Sequence, residues 1–337
     1  MFRLGVGVAG LLLAAGAASA QILPEIEPNE TKAQALANGP FILGDGMGIT
    51  GMTTGTSTTT AGPASADTFL IQNVARPLGI YRHRLVLDSS TFSATIRGVN
   101  QIAATAGPWP GPVGSQGTTD TTLQTGFIPT GTTTRINQWY GFGKQEQLYY
   151  RVTGTTSTTG SYTAILESQP VTPVNLGTFQ AGNIAISTIA QGHTTDTDLW
   201  IYDSNLNAIV GYGNDDESTF GGGTGATLQS LLNRQYAPGT YYLALSNFGI
   251  ANNQGAPSDD DFRTGSLTDF ADVLLNTSTS VNLNLSFAVT DSTGTTQYQA
   301  TKAGQFDVYW ASFTVVPAPG SLALIGLGCL LAARRRR

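Results

Sequence analysis

Cysteine is almost missing: Cys329 is the only one in 337 residues, and it lies in an apolar stretch near the C-terminus. The rest of the chain therefore holds no disulfide, no thiolate nucleophile and no cysteine metal site. Histidine is nearly as scarce, with His83 and His193 the only two, which makes a catalytic zinc site hard to assemble. No Gly-x-Ser-x-Gly elbow occurs, and neither histidine is spaced against a serine as a triad would suggest. Both are read as surface histidines. Charge is thin as well: 11% of residues, 22 acidic against 16 basic, for a net charge of −6. That balance leaves no basic footprint for nucleic acid. Gly46, Gly48 and Gly51 match a dinucleotide fingerprint by letters alone, because Thr53 and Thr54 follow where a phosphate-binding helix would begin.

Both ends of the chain carry what the middle lacks, an uncharged apolar run beside arginine. Met1-Phe2-Arg3 is a basic n-region, Leu4 to Ala17 an apolar h-region, and Ala18-Ser19-Ala20 a small-x-small cleavage site before Gln21. Residues 1–20 are expected to be a signal peptide, so the secretion machinery is an expected partner. At the other end Pro317-Ala318-Pro319-Gly320 forms a hinge, Leu322 to Ala333 an uncharged run, and Arg334-Arg335-Arg336-Arg337 a basic stop. The run is shorter than the roughly 20 apolar residues that span a bilayer unaided. The arginines would hold its end on the cytoplasmic side. This order resembles the PEP-CTERM sorting signal, with Ala318 where that family has glutamate. The resemblance implies an exosortase-type membrane protease as partner, transient inner-membrane anchoring by a short C-terminal helix, and a destination at the cell surface, outer membrane or extracellular matrix. An ordinary tail anchor or a terminal core helix are the alternatives.

About 295 residues lie between those ends, enough for two domains of ordinary size. Lys32 to Ala37 predicts a short helix that Asn29 could cap. Beyond Phe41 the pattern is strands separated by Gly, Thr, Ser and Pro: Asp67 to Ile71, Tyr81 to Leu87, Leu148 to Val152 and Ser161 to Leu166. Thr153 to Gly160 reads as the hairpin turn joining the last two, and Gly98 to Thr134 as a long loop or insertion. After a seam at Gln169-Pro170-Val171-Thr172-Pro173 a similar plan restarts with Leu176 to Ile186, Asp196 to Asp203, Ala208 to Tyr212 and Thr240 to Leu245. Ser266 to Asp269 predicts a capping box, with Leu267, Phe270, Ala271 and Leu274 on one helical face. Val281 to Phe287 alternates apolar and polar without a break, and Phe306 to Val315 supplies a last strand.

The succession Asp196-Thr197-Asp198-Leu199, then Gly211-Tyr212-Gly213-Asn214-Asp215-Asp216, then Ala237-Pro238-Gly239-Thr240-Tyr241-Tyr242-Leu243 resembles the bacterial pre-peptidase C-terminal domain. Glu25-Ile26-Glu27-Pro28-Asn29 is similar to the start of that family, and Leu148 to Leu166 to its closing hairpin. The resemblance implies an all-β protein with two tandem jelly-roll-like antiparallel β-sandwiches, a divergent copy at 21–168 and a second at 169–316. A signal peptide (1–20) and a sorting tail (317–337) would flank them.

Carboxylates and amides gather in loops, at Glu25, Glu27 and Asn29, at Asp196, Asp198 and Asp203, from Asn214 through Asp215 and Asp216 to Glu217, and at Asp259, Asp260 and Asp261. Such loops can supply the roughly six to eight hard oxygens that Ca²⁺ takes, though none has EF-hand spacing. The resemblance implies Ca²⁺ ligands at Glu25, Glu27 and Asn29, and Asp215 and Asp216 are further candidates. Solvated loop charge and turn-forming Asx residues are the plainer reading of each cluster. Trp109, Trp139, Tyr140 and Phe142 lie in loop-like sequence, where rings stack on sugars or cap a core. The expected function is non-enzymatic: adhesion to, or assembly with, extracellular polymer such as polysaccharide. A carbohydrate-binding module and a secreted hydrolase or lyase are the alternatives.

Overall fold

A computed structural model describes residues 21–54, 65–154, 159–261, 265–280, 283–302 and 304–318. Ala18 and Ala20 of the expected cleavage site, Pro319 and Gly320 of the hinge, Cys329 and Arg334 to Arg337 lie outside the described residues. Among those described, no helix is long and apolar enough to cross a membrane.

The chain is built of β-strands, with one helix, Lys32–Asn38, among the described residues. Its N-cap is Thr31, whose hydroxyl accepts the Gln34 amide while the Gln34 side chain returns to the Thr31 amide. Asn29, expected in that role, is instead buried at 2% exposure. The reciprocal box wins because it satisfies two otherwise orphaned donors at once.

Four sheets carry the described residues. A seven-stranded sheet runs in the order Ile22–Pro24, Gly48–Thr54, Thr159–Val171, Ile80–Leu87, Arg135–Gly141, Val273–Asn276 and Ile250–Ala251. Facing it are Ser266–Leu267, Phe92–Ile102, Gln147–Gly154, Ala66–Asn73 and Phe41–Leu43, with Ser115–Thr125 paired on Phe92–Ile102. Phe69, Ile71, Ile96, Tyr150 and Val152 from one sheet, and Leu85, Leu87, Trp139, Tyr162 and Leu166 from the other, enclose a common core. The second pair of sheets is Val174–Gln180, Tyr309–Val316, Gly239–Asn247, Thr197–Tyr202 and Ala208–Asn214 against Leu231–Tyr236, Gly182–Ser187, Phe287–Asp291 and Gly294–Tyr298. Leu199, Ile201, Leu243 and Phe313 meet Ile184, Ile186, Leu232 and Phe287 there.

The two pairs are welded by aromatics. Ile80, Tyr140, Phe142 and Leu274 of the first pair pack on Trp200, Tyr202, Ala244 and Trp310 of the second. Phe142 lies 5.1 Å from Tyr202 and 5.8 Å from Trp310, centroid to centroid. This explains why Thr197–Tyr202 is buried at every position. Leu199 and Ile201 face one core while Trp200 and Tyr202 face the weld, so a strand covered on both sides loses its polar alternation.

Several expectations need correction. The sheets are mixed rather than purely antiparallel, because Ile22–Pro24, Phe41–Leu43 and Val174–Gln180 each pair in parallel with a neighbour. Gln147–Gly154 and Thr159–Val171 lie in different sheets, so these two strands do not pair as a hairpin. The stretch expected to be a long loop after Gly98 is a two-stranded ribbon, Phe92–Ile102 with Ser115–Thr125. Its Thr-rich sequence lacks the apolar alternation of a half-buried strand because much of the second strand is exposed. Ser266–Leu267 and Val273–Asn276 are strands, not a capped helix, since pairing with Phe92–Ile102 and Arg135–Gly141 overrides local propensity. Consequently Ile250–Ala251, Ser266–Leu267 and Val273–Asn276 belong to the first pair of sheets. Of the alternating run from Val281 to Phe287, only Phe287 starts a strand, Phe287–Asp291; Val281 and Asn282 lie outside the described residues.

Candidate functional site

Two acidic clusters form, and each joins residues that are remote in sequence. At the first, the extended segment after Gln21 lies along Gly48–Thr54: the Glu25 amide donates to Thr50 O (2.8 Å) and the Met52 amide to Glu25 Oε1 (2.9 Å). This brings Glu25 and Glu27 against Asp67, at the head of Ala66–Asn73, with carboxylate oxygens of all three within 4.8 Å of one another. Asn29 completes the group, its amide donating to Glu27 Oε2 (3.1 Å) and its carbonyl accepting from Thr68 N (2.7 Å). Tyr162 donates to Asp67 Oδ2 at 2.8 Å. Asn29 Oδ1 and Asp67 Oδ1 are buried and accept nothing.

Like charges held close out of water favour the protonated acid. Burial pushes the Asp67 carboxyl up to about 7, with Glu25 and Glu27 adding repulsion and the Tyr162 hydrogen bond opposing it. Glu27 is raised by burial and then by Glu25 and Glu30. The strand beneath leaves room only for glycine at 51, where a Cβ would sit 2.3 Å from Glu25 Oε2. An all-oxygen donor set with two unsatisfied buried oxygens suits a hard cation. Glu25, Glu27, Asn29 and Asp67 would hold it, and a divalent ion there would offset the mutual repulsion of the carboxylates. Asp67 and Tyr162 escape the sequence reading; the signal was an acid opening an otherwise apolar strand.

At the second cluster the run from Asn214 to Glu217 divides by function. Asn214 Oδ1 accepts the Leu231 amide at 2.6 Å. Asp215 and Asp216 join Asp196, with carboxylate oxygens of the three within 4.8 Å. Glu217 turns away to organise residues 224–227, accepting from Thr224 Oγ1 (2.7 Å), Ala226 N (2.8 Å) and Thr227 N (3.2 Å). Those donors hold its carboxyl at about 2, outweighing partial burial. Asp203 is likewise separate, its carboxylate accepting from Asn205 and Asn207 within the turn it starts. Asp259 pairs with Arg234.

The histidines and tryptophans also settle into place. His83 is buried, at 1% exposure, rather than on the surface. It stacks 5.4 Å from Trp139 and its Nδ1 lies 2.8 Å from Ser168 Oγ. Burial, followed by the charge of Arg76, drives its basicity down to about 3. A base that weak, with no carboxylate hydrogen-bonded to it among the described residues, is poorly matched to activating Ser168. Half-buried His193 is engaged by Ser286 O at Nε2 (2.8 Å) and by the Thr195 amide at Nδ1 (3.1 Å). Trp139 and Tyr140 lie in the strand Arg135–Gly141 and Phe142 directly follows it; all three are buried. Trp109 docks on the second pair of sheets under the Arg234 guanidinium, 4.5 Å from its ring. Pro317 and Ala318 directly follow the last strand, Tyr309–Val316, so the hinge begins where the sheet ends.

Compared with known proteins, the chain matches no family model and no curated protein.

Proposed function

We propose that this chain is exported through the secretion machinery and works outside the cytoplasm as a non-enzymatic surface or extracellular-matrix protein. In that role it adheres to, or assembles with, extracellular polymer, polysaccharide being the leading class. Its two facing-sheet units are jelly-roll-like sandwiches of the pre-peptidase C-terminal type, the first steadied by Ca²⁺ at Glu25, Glu27, Asn29 and Asp67. Its tail is read by an exosortase-type protease after transient inner-membrane anchoring.

The observation that carries this reading is the docking of Glu25 and Glu27 onto buried Asp67, immediately after the expected cleavage point at Gln21. A cluster of this kind works best where Ca²⁺ stands near millimolar, as it does outside cells, because extracellular calcium modules bind in the range of roughly 10⁻⁴ to 10⁻³ M. The absence of cysteine from residues 21–318 is compatible with that setting, since bound ions and packing can replace disulfides there. The carbohydrate-module alternative relied on exposed tryptophan rings, yet Trp139 is buried and Arg234 covers Trp109.

The test is to express the 337-residue chain in an exosortase-bearing Gram-negative host, fractionate the cells, and identify the first and last residues of the product by mass spectrometry. The expected product starts at Gln21, lacks the Arg334 to Arg337 terminus, and co-sediments with purified exopolysaccharide in Ca²⁺ but less in chelator. An intact chain in the cytosol would overturn the reading.

A further inference from the structure

The second acidic cluster sits where the welded halves exchange strands. Asp196 and Asp198 flank the start of Thr197–Tyr202, while Asp215 and Asp216 follow the end of Ala208–Asn214, the neighbouring strand. Asp260 arrives from the segment that returns from the first pair of sheets, accepting the Asp215 amide at 3.1 Å and the Asp216 amide at 3.3 Å. Asp198 Oδ2 in turn accepts the amide of Ile250, at 2.8 Å, where that excursion begins. A cavity of about 210 Å³ opens beside the group, its lining shared by Asp198, Trp200, Asp215 and Asp260 and by Gln101 and Leu123 of the ribbon.

Asp215 is the telling residue. It is only 4% exposed, and both of its carboxylate oxygens are buried and accept no hydrogen bond. Asp196 Oδ1 is buried and unpartnered too. No lysine or arginine forms an ion pair with Asp196, Asp198, Asp215 or Asp216 among the described residues, and the nearby Arg234 is committed to Asp259. Burying a carboxylate with neither donor nor countercharge is among the most unfavourable arrangements a fold can contain. Here the unsatisfied oxygens converge with two other carboxylates inside 4.8 Å. Consistent with that, burial and the neighbouring aspartates push Asp215 up to about 11 and Asp216 up to about 6.

We propose that Asp196, Asp215 and Asp216 form a second cation site, for a Ca²⁺-class ion, that ties the returning segment Ile250–Asp261 to the second pair of sheets. The ligands are oxygens only, which selects a hard cation, and they come from loop and strand ends, whose adjustable spacing suits Ca²⁺ better than the strict octahedron of Mg²⁺. Asp198 and Asp260 stand behind the ligands as positioning residues, each holding the backbone of the partner segment. This site is independent of the cluster at Glu25, Glu27 and Asp67, and of the export reading.

The test uses the full chain, stripped with chelator and titrated with Tb³⁺ under tryptophan excitation, then with Ca²⁺ by calorimetry. Trp200 lines the same cavity as Asp215, so bound Tb³⁺ is expected to emit and Ca²⁺ to quench that emission by displacement. Trp200→Phe should cut the signal severalfold. Asp215→Asn should weaken Ca²⁺ at this site at least tenfold, while Asp67→Asn leaves the Trp200-sensitised signal unchanged. The order of thermal midpoints gives a second readout: Asp215→Asn is expected to equal or exceed the unmutated chain in chelator and to fall below it in Ca²⁺. Should Asp215→Asn fail to fold, half-buried Asp216→Asn carries the same comparison. Unchanged Ca²⁺ binding in the variant, or a variant less stable by the same margin in both conditions, overturns the proposal.

Discussion

Arg234 and Asp259 form a bidentate ion pair, Nη1 to Oδ2 at 2.7 Å and Nη2 to Oδ1 at 2.8 Å, with both side chains almost inaccessible. Arg234 Nε also donates to Gly211 O (2.7 Å), and its guanidinium lies over Trp109, 4.5 Å from the ring centre. One guanidinium thus joins the ribbon of the first pair of sheets to the second. Removing one partner strands a buried charge, so Asp259→Ala is expected to destabilise by about 3–5 kcal/mol. Replacing both, Arg234→Met with Asp259→Leu, should recover much of that loss. Urea midpoints of the three variants check this, and a loss below about 1 kcal/mol in Asp259→Ala would contradict it.

Gly211 is the floor beneath Trp109. Its φ of +78° lies in the left-handed region, and a Cβ there would come within 1.8 Å of the Trp109 ring. Gly211→Ala is therefore expected to expel the ring and cost at least about 2 kcal/mol, since backbone strain and overpacking act together. A red shift of tryptophan emission, absent in a Trp109→Phe background, would report the expulsion.

His83 makes stability depend on pH. In the unfolded chain the imidazole titrates near 6.5, whereas in the fold it is held down to about 3. A depressed histidine means that the unfolded state binds the extra proton, so stability is intact above about 6.5 and declines as pH falls from there toward 3. At pH 5 the loss should be about 2 kcal/mol, from about 1.4 kcal/mol per unit. Denaturation midpoints between pH 7 and 5 should flatten by that amount in His83→Gln, and an unchanged slope would count against it.

Chelation should be felt at Asp67. With Ca²⁺ at 100 times its dissociation constant, the cluster of Glu25, Glu27, Asn29 and Asp67 would gain about 2.7 kcal/mol. EDTA is expected to lower the thermal midpoint, and Asp67→Asn to remove most of that part of the difference. Gly51→Ala, whose Cβ would press on Glu25 Oε2 and on Tyr162 Oη at 2.5 Å, should mimic the chelated state even in Ca²⁺. A Gly51→Ala midpoint that still responds fully to EDTA would refute the geometry.

Much of the strand content was legible in the sequence, because a strand with one wet face writes its alternation locally. Ser161 to Leu166 falls where expected, inside the strand Thr159–Val171. Leu267 to Leu274 misled because helical spacing of apolar residues is also produced by two short strands, Ser266–Leu267 and Val273–Asn276, each paired with a distant neighbour. The acids at Glu25, Glu27, Asp215 and Asp216 were visible as residue types. Their partners Asp67 and Asp196 were not assigned to them.

An all-β body poor in histidine and cysteine and rich in loop oxygens is already written in the order of residues, because composition and period are properties of neighbours along the chain. That Ile250–Ala251, Ser266–Leu267 and Val273–Asn276 join the first sheets, that Trp109 and His83 are covered, and that the acids form two separate groups emerges only once the chain is folded. Each of those outcomes depends on strand pairing across long stretches of chain, and pairing energy is set by which surfaces meet, a quantity no local window contains.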